Sequence, residues 1–215
     1  MRDSTPWLRR LLWGVLVAAL ATVAAVALVN RLACRRAASP TPPPLLGHLP
    51  DFTLTNRDGR TIRLRDLAGA PWVADFVFTR CQSSCPLMTA RLAILDRALT
   101  RPRGLRLVSF TVDPDHDTAP VLAGYAVSFA ASPRWLFLTG SARELYALSR
   151  QGFKLGIELP GGAVASGAAG TIVHSTRFIL VDGRSNIRRY YEALDPTTRS
   201  RLAADLTALG EEESR

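Results

Sequence analysis

One stretch limits the possible folds more than any other: Asp75-Phe76-Val77-Phe78-Thr79-Arg80-Cys81-Gln82-Ser83-Ser84-Cys85-Pro86-Leu87-Met88. An apolar run beginning at Trp72 ends in two cysteines, and a proline with helix-spaced apolar residues follows at once. The pattern predicts a buried strand, a short loop and then a helix. Pro86 suits the first helical turn, where its missing N–H removes no intrahelical bond. In that turn the backbone N–H groups have no partner within the helix, and the dipole favours negative charge. Both effects lower a thiol pKa and supply thiolate, for redox chemistry or for binding a metal. The alternative is that two small residues simply pack there.

Ahead of this stretch the chain carries the signs of a tether. Leu11 to Val29 is an uncharged apolar run, flanked by Arg9 and Arg10 before it and by Arg31, Arg35 and Arg36 after it. As a helix it would span about 28 Å, close to the hydrocarbon thickness of a bilayer. It exceeds the apolar core of a cleaved signal peptide, so an uncleaved single-pass anchor over residues 11–30 is expected, after a basic segment at 1–10. The flanking charge is too balanced to orient it. Cys34 would suit a lipid-modified cysteine, but Arg31 stands where such a signal needs a Leu-like residue, and Cys34 is read as a bystander. Pro40, Pro42, Pro43 and Pro44 make a stiff spacer at 31–48, with a globular domain at 49–210 and a short tail at 211–215. Of the net charge of +9, an excess of five lies in residues 1–36 (six Arg against Asp3), and no basic patch interleaved with aromatics follows. Nucleic-acid binding is therefore excluded as the meaning of the charge.

Within the domain, short alternating runs flank the turn Asn56-Arg57-Asp58-Gly59 and predict a hairpin. Strands are expected at 72–78, 105–112, 135–139 and 176–181, the last with a hairpin partner at 187–191. Helices are expected at 86–99, from an N-cap at Asp117 to 129, from a cap at Ser141 to about 151, and from Thr197 or Thr198 to 209. Alternating β and α elements with a closing hairpin predict an α/β fold, a mixed sheet with helices on both faces. Thiols at the first strand-to-helix junction make this the thioredoxin-like arrangement.

Four ordered blocks resemble one family. Phe78-Thr79-Arg80-Cys81-x-x-x-Cys85-Pro86 is similar to the signature of the Sco/SenC family, membrane-tethered copper chaperones for cytochrome c oxidase. Val112-Asp113-Pro114-Asp115-His116-Asp117-Thr118 with Leu122 and Tyr125, then Leu138-Thr139-Gly140, then His174-Ser175-Thr176 leading into Phe178 to Gly183, resemble its later blocks. The resemblance implies copper, as Cu(I) and also Cu(II), held by Cys81, Cys85 and His174. It also implies delivery of copper or reducing equivalents to the binuclear site of cytochrome c oxidase subunit II, with other copper chaperones as partners. The implied location is a bacterial inner membrane with the domain on the periplasmic side. Ligand chemistry agrees: thiolates select Cu(I), and imidazole is an acceptable third donor. Zinc would want a fourth ligand, and His48 and His116 are the only other histidines.

The chain also departs from the family. Gln82 and Ser83 replace the usual Pro and Asp between the cysteines, and His116 stands where Arg is common. Asp113 and Asp117 are read as turn and cap residues rather than ligands, with His116 exposed between them. Asp75, in an apolar strand six residues before Cys81, matches the offset of the buried aspartate of thioredoxins. Burial would raise its pKa and suit it to moving protons for the thiols; an arginine partner is the alternative. A membrane-anchored thiol:disulfide oxidoreductase using Cys81, Cys85 and Asp75 is therefore a second functional expectation beside the metallochaperone.

Overall fold

The computed structural model describes residues 6–37 (side chains at 7 and 10–26), 41–99, 102, 104–155 and 175–213. The chain divides into two compact units, Met1–Pro40 and Thr41–Arg215. The first holds helix α1 (Pro6–Ala37), whose side chains from Leu11 to Val26 are exposed. Among the described residues no helix is long and apolar enough to cross a membrane. The anchor expected over 11–30 runs past the last described side chain of α1, and the Cys34 side chain lies outside the described ones.

The second unit is built on eight strands. These are β1 (Gly47–His48), β2 (Thr53–Asn56), β3 (Thr61–Arg63), β4 (Trp72–Val77), β5 (Arg106–Thr111), β6 (Trp135–Thr139), β7 (Arg177–Val181) and β8 (Asn186–Glu192). They form one sheet in the order β1-β8-β7-β4-β5-β6-β2-β3. β4, β5 and β6 run parallel, and the remaining pairings are antiparallel. Helices α2 (Ser84–Ala98), α3 (Ala119–Ser128), α4 (Ala142–Ala147) and α5 (Thr198–Glu213) cover it, so the expected mixed, helix-flanked sheet forms.

Period-two alternation sorts the central strands between two layers. Trp72, Ala74 and Phe76 of β4 join Val108 and Phe110 of β5 and Leu136 and Leu138 of β6 in one core. Phe110 is the centre of an aromatic cluster there, with Phe76, Phe52 and Phe153 at centroid distances of 5.2, 5.8 and 5.5 Å. The opposite side of the same strands meets Met88, Leu92 and Leu95 of α2, Leu122 and Ala126 of α3, and Leu202, Leu206 and Leu209 of α5. By the same alternation Asp75, Ser109, Thr111 and Trp135 belong to this second layer. Four polar groups on three adjacent strands therefore share the face that α2 covers.

Several expectations are corrected. α2 begins at Ser84, two residues earlier than expected, so Cys85 lies inside its first turn. Asp117 does not cap α3: the N-cap is Thr118, and the Asp117 carboxylate turns inward to meet Thr79 and Thr111. A buried carboxylate needs several donors, and the two threonines supply more than a helix end would. The helix begun at the Ser141 cap closes as a π turn over Leu148–Gly152. Residues 41–48, assigned to the spacer from sequence, belong to the domain. Gly47 and His48 pair with β8 as an edge strand, and Arg188 Nε donates to the Pro43 carbonyl at 2.8 Å.

Candidate thiol and metal site

β4 leaves the sheet at Val77 and turns at once. The Cys81 N–H bonds to the Phe78 carbonyl at 3.2 Å, closing a tight turn that brings Cys81 back against the start of α2. The Cys85 N–H, one of the orphan donors of the first helical turn, points at the Cys81 sulfur at 3.4 Å. The Ser83 hydroxyl lies 3.5 Å from that sulfur. Cys81 is 7% exposed and Cys85 is fully buried, both packed with Val77.

The two thiols are strongly unequal. Burial works to raise Cys81, but hydrogen bonds from the Ser83 hydroxyl, the Cys85 thiol and the Ser83 and Cys85 backbone outweigh it, bringing the thiol down to about 6. Burial pushes Cys85 the other way, well above the usual thiol range, reinforced by its hydrogen bond to Cys81 and the nearby charge of Asp75. A nucleophilic sulfur with a sliver of exposed surface thus sits beside a fully sheltered one that holds its proton.

Under α2 lies the buried polar chain. The Trp135 indole Nε1–H donates to Ser109 Oγ at 2.9 Å, and the Ser109 hydroxyl donates to Asp75 Oδ1 at 2.6 Å. Asp75 is completely buried, and its Oδ2 has no partner among the described residues, where no arginine reaches it. Desolvation pushes Asp75 up to about 7 against the opposing bond from Ser109. Tyr125 of α3 meets the Thr89 hydroxyl at 2.9 Å, and Thr89 donates to the Cys85 carbonyl at 2.8 Å. Burial raises the Tyr125 phenol, with Cys85, Asp75 and Cys81 adding to the effect.

The residues just before Cys81 are strapped to the β5–α3 loop. Arg80 donates to Asp113 Oδ2 through Nε at 3.0 Å and Nη2 at 2.5 Å. Thr79 donates its N–H and its hydroxyl to Asp117 at 3.1 and 2.5 Å. His116 is exposed, as expected, with Nδ1 3.0 Å from Asp117 Oδ1. His174 lies outside the described residues. β7 runs antiparallel to β4, so its first residue, Arg177, lies at the end of the sheet from which β4 enters the cysteine turn.

These features can be set beside known proteins. The profile of the SCO1/SenC family matches residues 44–210. The chain belongs to the SCO1/SenC family. It is 31% identical to the SCO1 protein homolog of Bacillus subtilis, over 76% of this chain and 83% of that one. A SCO1/SenC family lipoprotein from Bacillus anthracis superposes with a TM-score of 0.69 at 32% identity, covering 77% of this chain and 96% of that one. BsSco, a member of the Sco family of cytochrome c oxidase assembly proteins in which a disulfide switch was identified, gives 0.68 at 29% identity, covering 79% and 97%. At 22% identity Bradyrhizobium japonicum ScoI, solved with copper bound, shares the fold, with a TM-score of 0.62 over 75% and 99%.

Within this SCO1/SenC domain, sequence reasoning singled out the cysteines and Asp75 but not Thr79, Ser109, Thr111 and Trp135, whose hydrogen bonds converge on Asp75 and Asp117. A signal was present. Ser109 and Thr111 are polar residues in phase on a strand otherwise apolar after Arg106, and in parallel β4 and β5 Asp75 pairs with Ser109.

Proposed function

We propose that this SCO1/SenC protein binds copper through Cys81, Cys85 and His174 and delivers it, or an electron pair, to the binuclear copper site of cytochrome c oxidase subunit II. The observation that carries this reading is the pairing of the two sulfurs across one turn, with the Cys85 N–H directed at the Cys81 sulfur at 3.4 Å. Two adjacent sulfurs, one drawn towards thiolate, form the donor set that a soft Cu(I) cargo selects. The direction of β7 supports His174 as the third donor, because the chain enters that strand at the sheet end that carries the cysteine turn. The relationship to BsSco, an oxidase assembly protein, and to copper-bound ScoI supports the partner and the cargo. The apolar run at 11–30 serves as a single-pass anchor, holding the domain on the periplasmic face of the inner membrane, where the oxidase copper site and other copper chaperones are met.

Mixing Cu(I)-loaded protein with the apo copper domain of subunit II under anaerobic conditions tests this directly. Copper appearing on the acceptor, or dithiol appearing there from its disulfide, is the expected result. An acceptor left with neither contradicts it.

A second reading, a thiol:disulfide oxidoreductase, is favoured by the inequality of the thiols and by Asp75. Cys81 thiolate attacks a partner disulfide and forms a mixed disulfide while one partner sulfur leaves. Cys85, its proton passing to the Asp75 carboxylate, attacks Cys81 and releases the second partner thiolate. The protein is oxidised by two electrons and the partner reduced by two. Both activities draw on the same reduced pair, since metal binding needs the thiols reduced.

A further inference from the structure

Asp113, His116 and Asp117 bring donor atoms within 4.8 Å of one another. The carboxylates are already committed. Asp113 Oδ2 accepts from Arg80, and Asp117 accepts the Thr79 hydroxyl, the Thr79 N–H and, at 2.6 Å, the Thr111 hydroxyl. As a three-residue cation site the cluster is therefore spoken for. The imidazole is what remains.

His116 Nδ1 faces Asp117 Oδ1 at 3.0 Å and Thr79 Oγ1 at 3.3 Å. Thr79 gives its hydroxyl hydrogen to Asp117, and an ionised carboxylate only accepts, so Nδ1 carries the ring proton. In the neutral ring the lone pair is then at Nε2. A carboxylate fixing one ring nitrogen is the arrangement by which proteins orient a histidine towards a metal at the other. The side chain is 41% exposed, while its carboxylate partner is fully buried. The ring rests on Thr79, two residues before Cys81, in a turn closed by the Cys81 N–H. A rigidly oriented, solvent-accessible imidazole therefore stands against the loop that carries the more reactive sulfur.

We propose that His116 is a transient copper ligand at the mouth of the thiol site, exchanging Cu(I) with Cys81 through Nε2 as the ion enters or leaves. The step is ligand exchange: one Cu–N bond forms while the bond to a departing donor breaks, and no electron moves. The inference rests on the copper reading above and adds an entry and exit route to it. His174 belongs to the resident site, and His116 to the passage.

The test is anaerobic transfer of Cu(I) from the full-length protein to bicinchoninate, followed by stopped flow, with Cu(I) affinity measured on the same samples. His116→Ala and His116→Arg are expected to slow transfer about tenfold with affinity unchanged. The arginine keeps an N–H donor facing Asp117 and removes the lone pair. His48→Ala removes another exposed imidazole, on the edge strand β1 away from the cysteine turn, and is expected to transfer at the parental rate. Parental rates in both His116 variants overturn the inference alone, as does equal slowing by His48→Ala, which would mark an effect common to any exposed histidine. A fall in affinity matching that of His174→Ala overturns it by making His116 a resident ligand. Failure of the parent to bind Cu(I) at its cysteines removes the copper reading and this inference together.

Discussion

Ser109 donates its hydroxyl hydrogen to Asp75 Oδ1 at 2.6 Å, the one hydrogen bond that this completely buried carboxylate makes among the described residues. The Trp135 indole holds Ser109 in place from the neighbouring strand, and Asp75 Oδ2 has no partner among the described residues. This geometry gives one oxygen a fixed donor and leaves the other able to take a proton, beside a thiol that must lose one.

Asp75→Asn is accordingly expected to slow thiol–disulfide exchange at neutral pH while sparing Cu(I) affinity. Exchange with a small-molecule disulfide at pH 7, beside a Cu(I) competition titration, checks it. Equal exchange rates in variant and parent remove the proton-transfer role.

The same carboxylate sets a pH dependence of stability. Burial raises Asp75 to about 7 in the folded protein, against 3.8 for the exposed group. Below 3.8 both states are protonated and nothing is lost. As pH rises from there to about 7 the unfolded chain releases its proton first, so stability falls across that window, on the order of 4 kcal/mol in full. Urea unfolding of the reduced protein at pH 5 and pH 8 should show parental stability falling, and Asp75→Asn should remove this part of the fall. Parallel curves for the two proteins contradict the assignment.

The cysteines should separate cleanly by reactivity. Cys81, lowered to about 6 by its hydrogen bonds against the pull of burial, is mostly thiolate at neutral pH, whereas Cys85 is raised and sheltered. Iodoacetamide at pH 7 followed by peptide mapping is expected to label Cys81 first, with a rate that climbs through pH 6 and levels off above it. Labelling of Cys85 first would reverse the roles given to the two sulfurs.

Arg188 ties the chain entering the domain to its far end. Its guanidinium meets the Pro43 carbonyl, Asp182 at 2.9 Å and Glu212 at 2.9 Å. Arg188→Ala leaves Asp182 buried without its cation and should cost about 3 kcal/mol in urea unfolding. It should also expose residues 41–46 to proteases under native conditions. Unchanged stability and cleavage would make the contact incidental.

Much of this fold was legible because its signals are local and periodic. The β4 run, the Ser141 cap and the turns of both hairpins each follow from a few adjacent residues. What escaped depends on partners distant in the chain. Asp117 has the residue type and place of a helix cap, but Thr79, from another strand-to-helix junction, competes for its carboxylate and wins. Gly47 and His48 carry no strand pattern; the open edge of β8 recruits them. The cysteine pair was visible as spacing, yet its inequality comes from Ser83, the Cys85 amide and burial together, which spacing alone does not encode. The site's deeper layer, Trp135 through Ser109 to Asp75, becomes visible only when three strands are laid side by side.

The copper reading depends on sulfur and imidazole donors, far apart in sequence, gripping one soft ion. Anaerobic Cu(I) titration against a competing chelator measures this most directly, on the parent, on His174→Ala and on the double variant Cys81→Ser with Cys85→Ser. The expected order is tight binding of one Cu(I) by the parent, clearly weaker binding by His174→Ala, and none above background in the double variant. Tight binding that survives loss of both cysteines, or an affinity indifferent to His174, would contradict it.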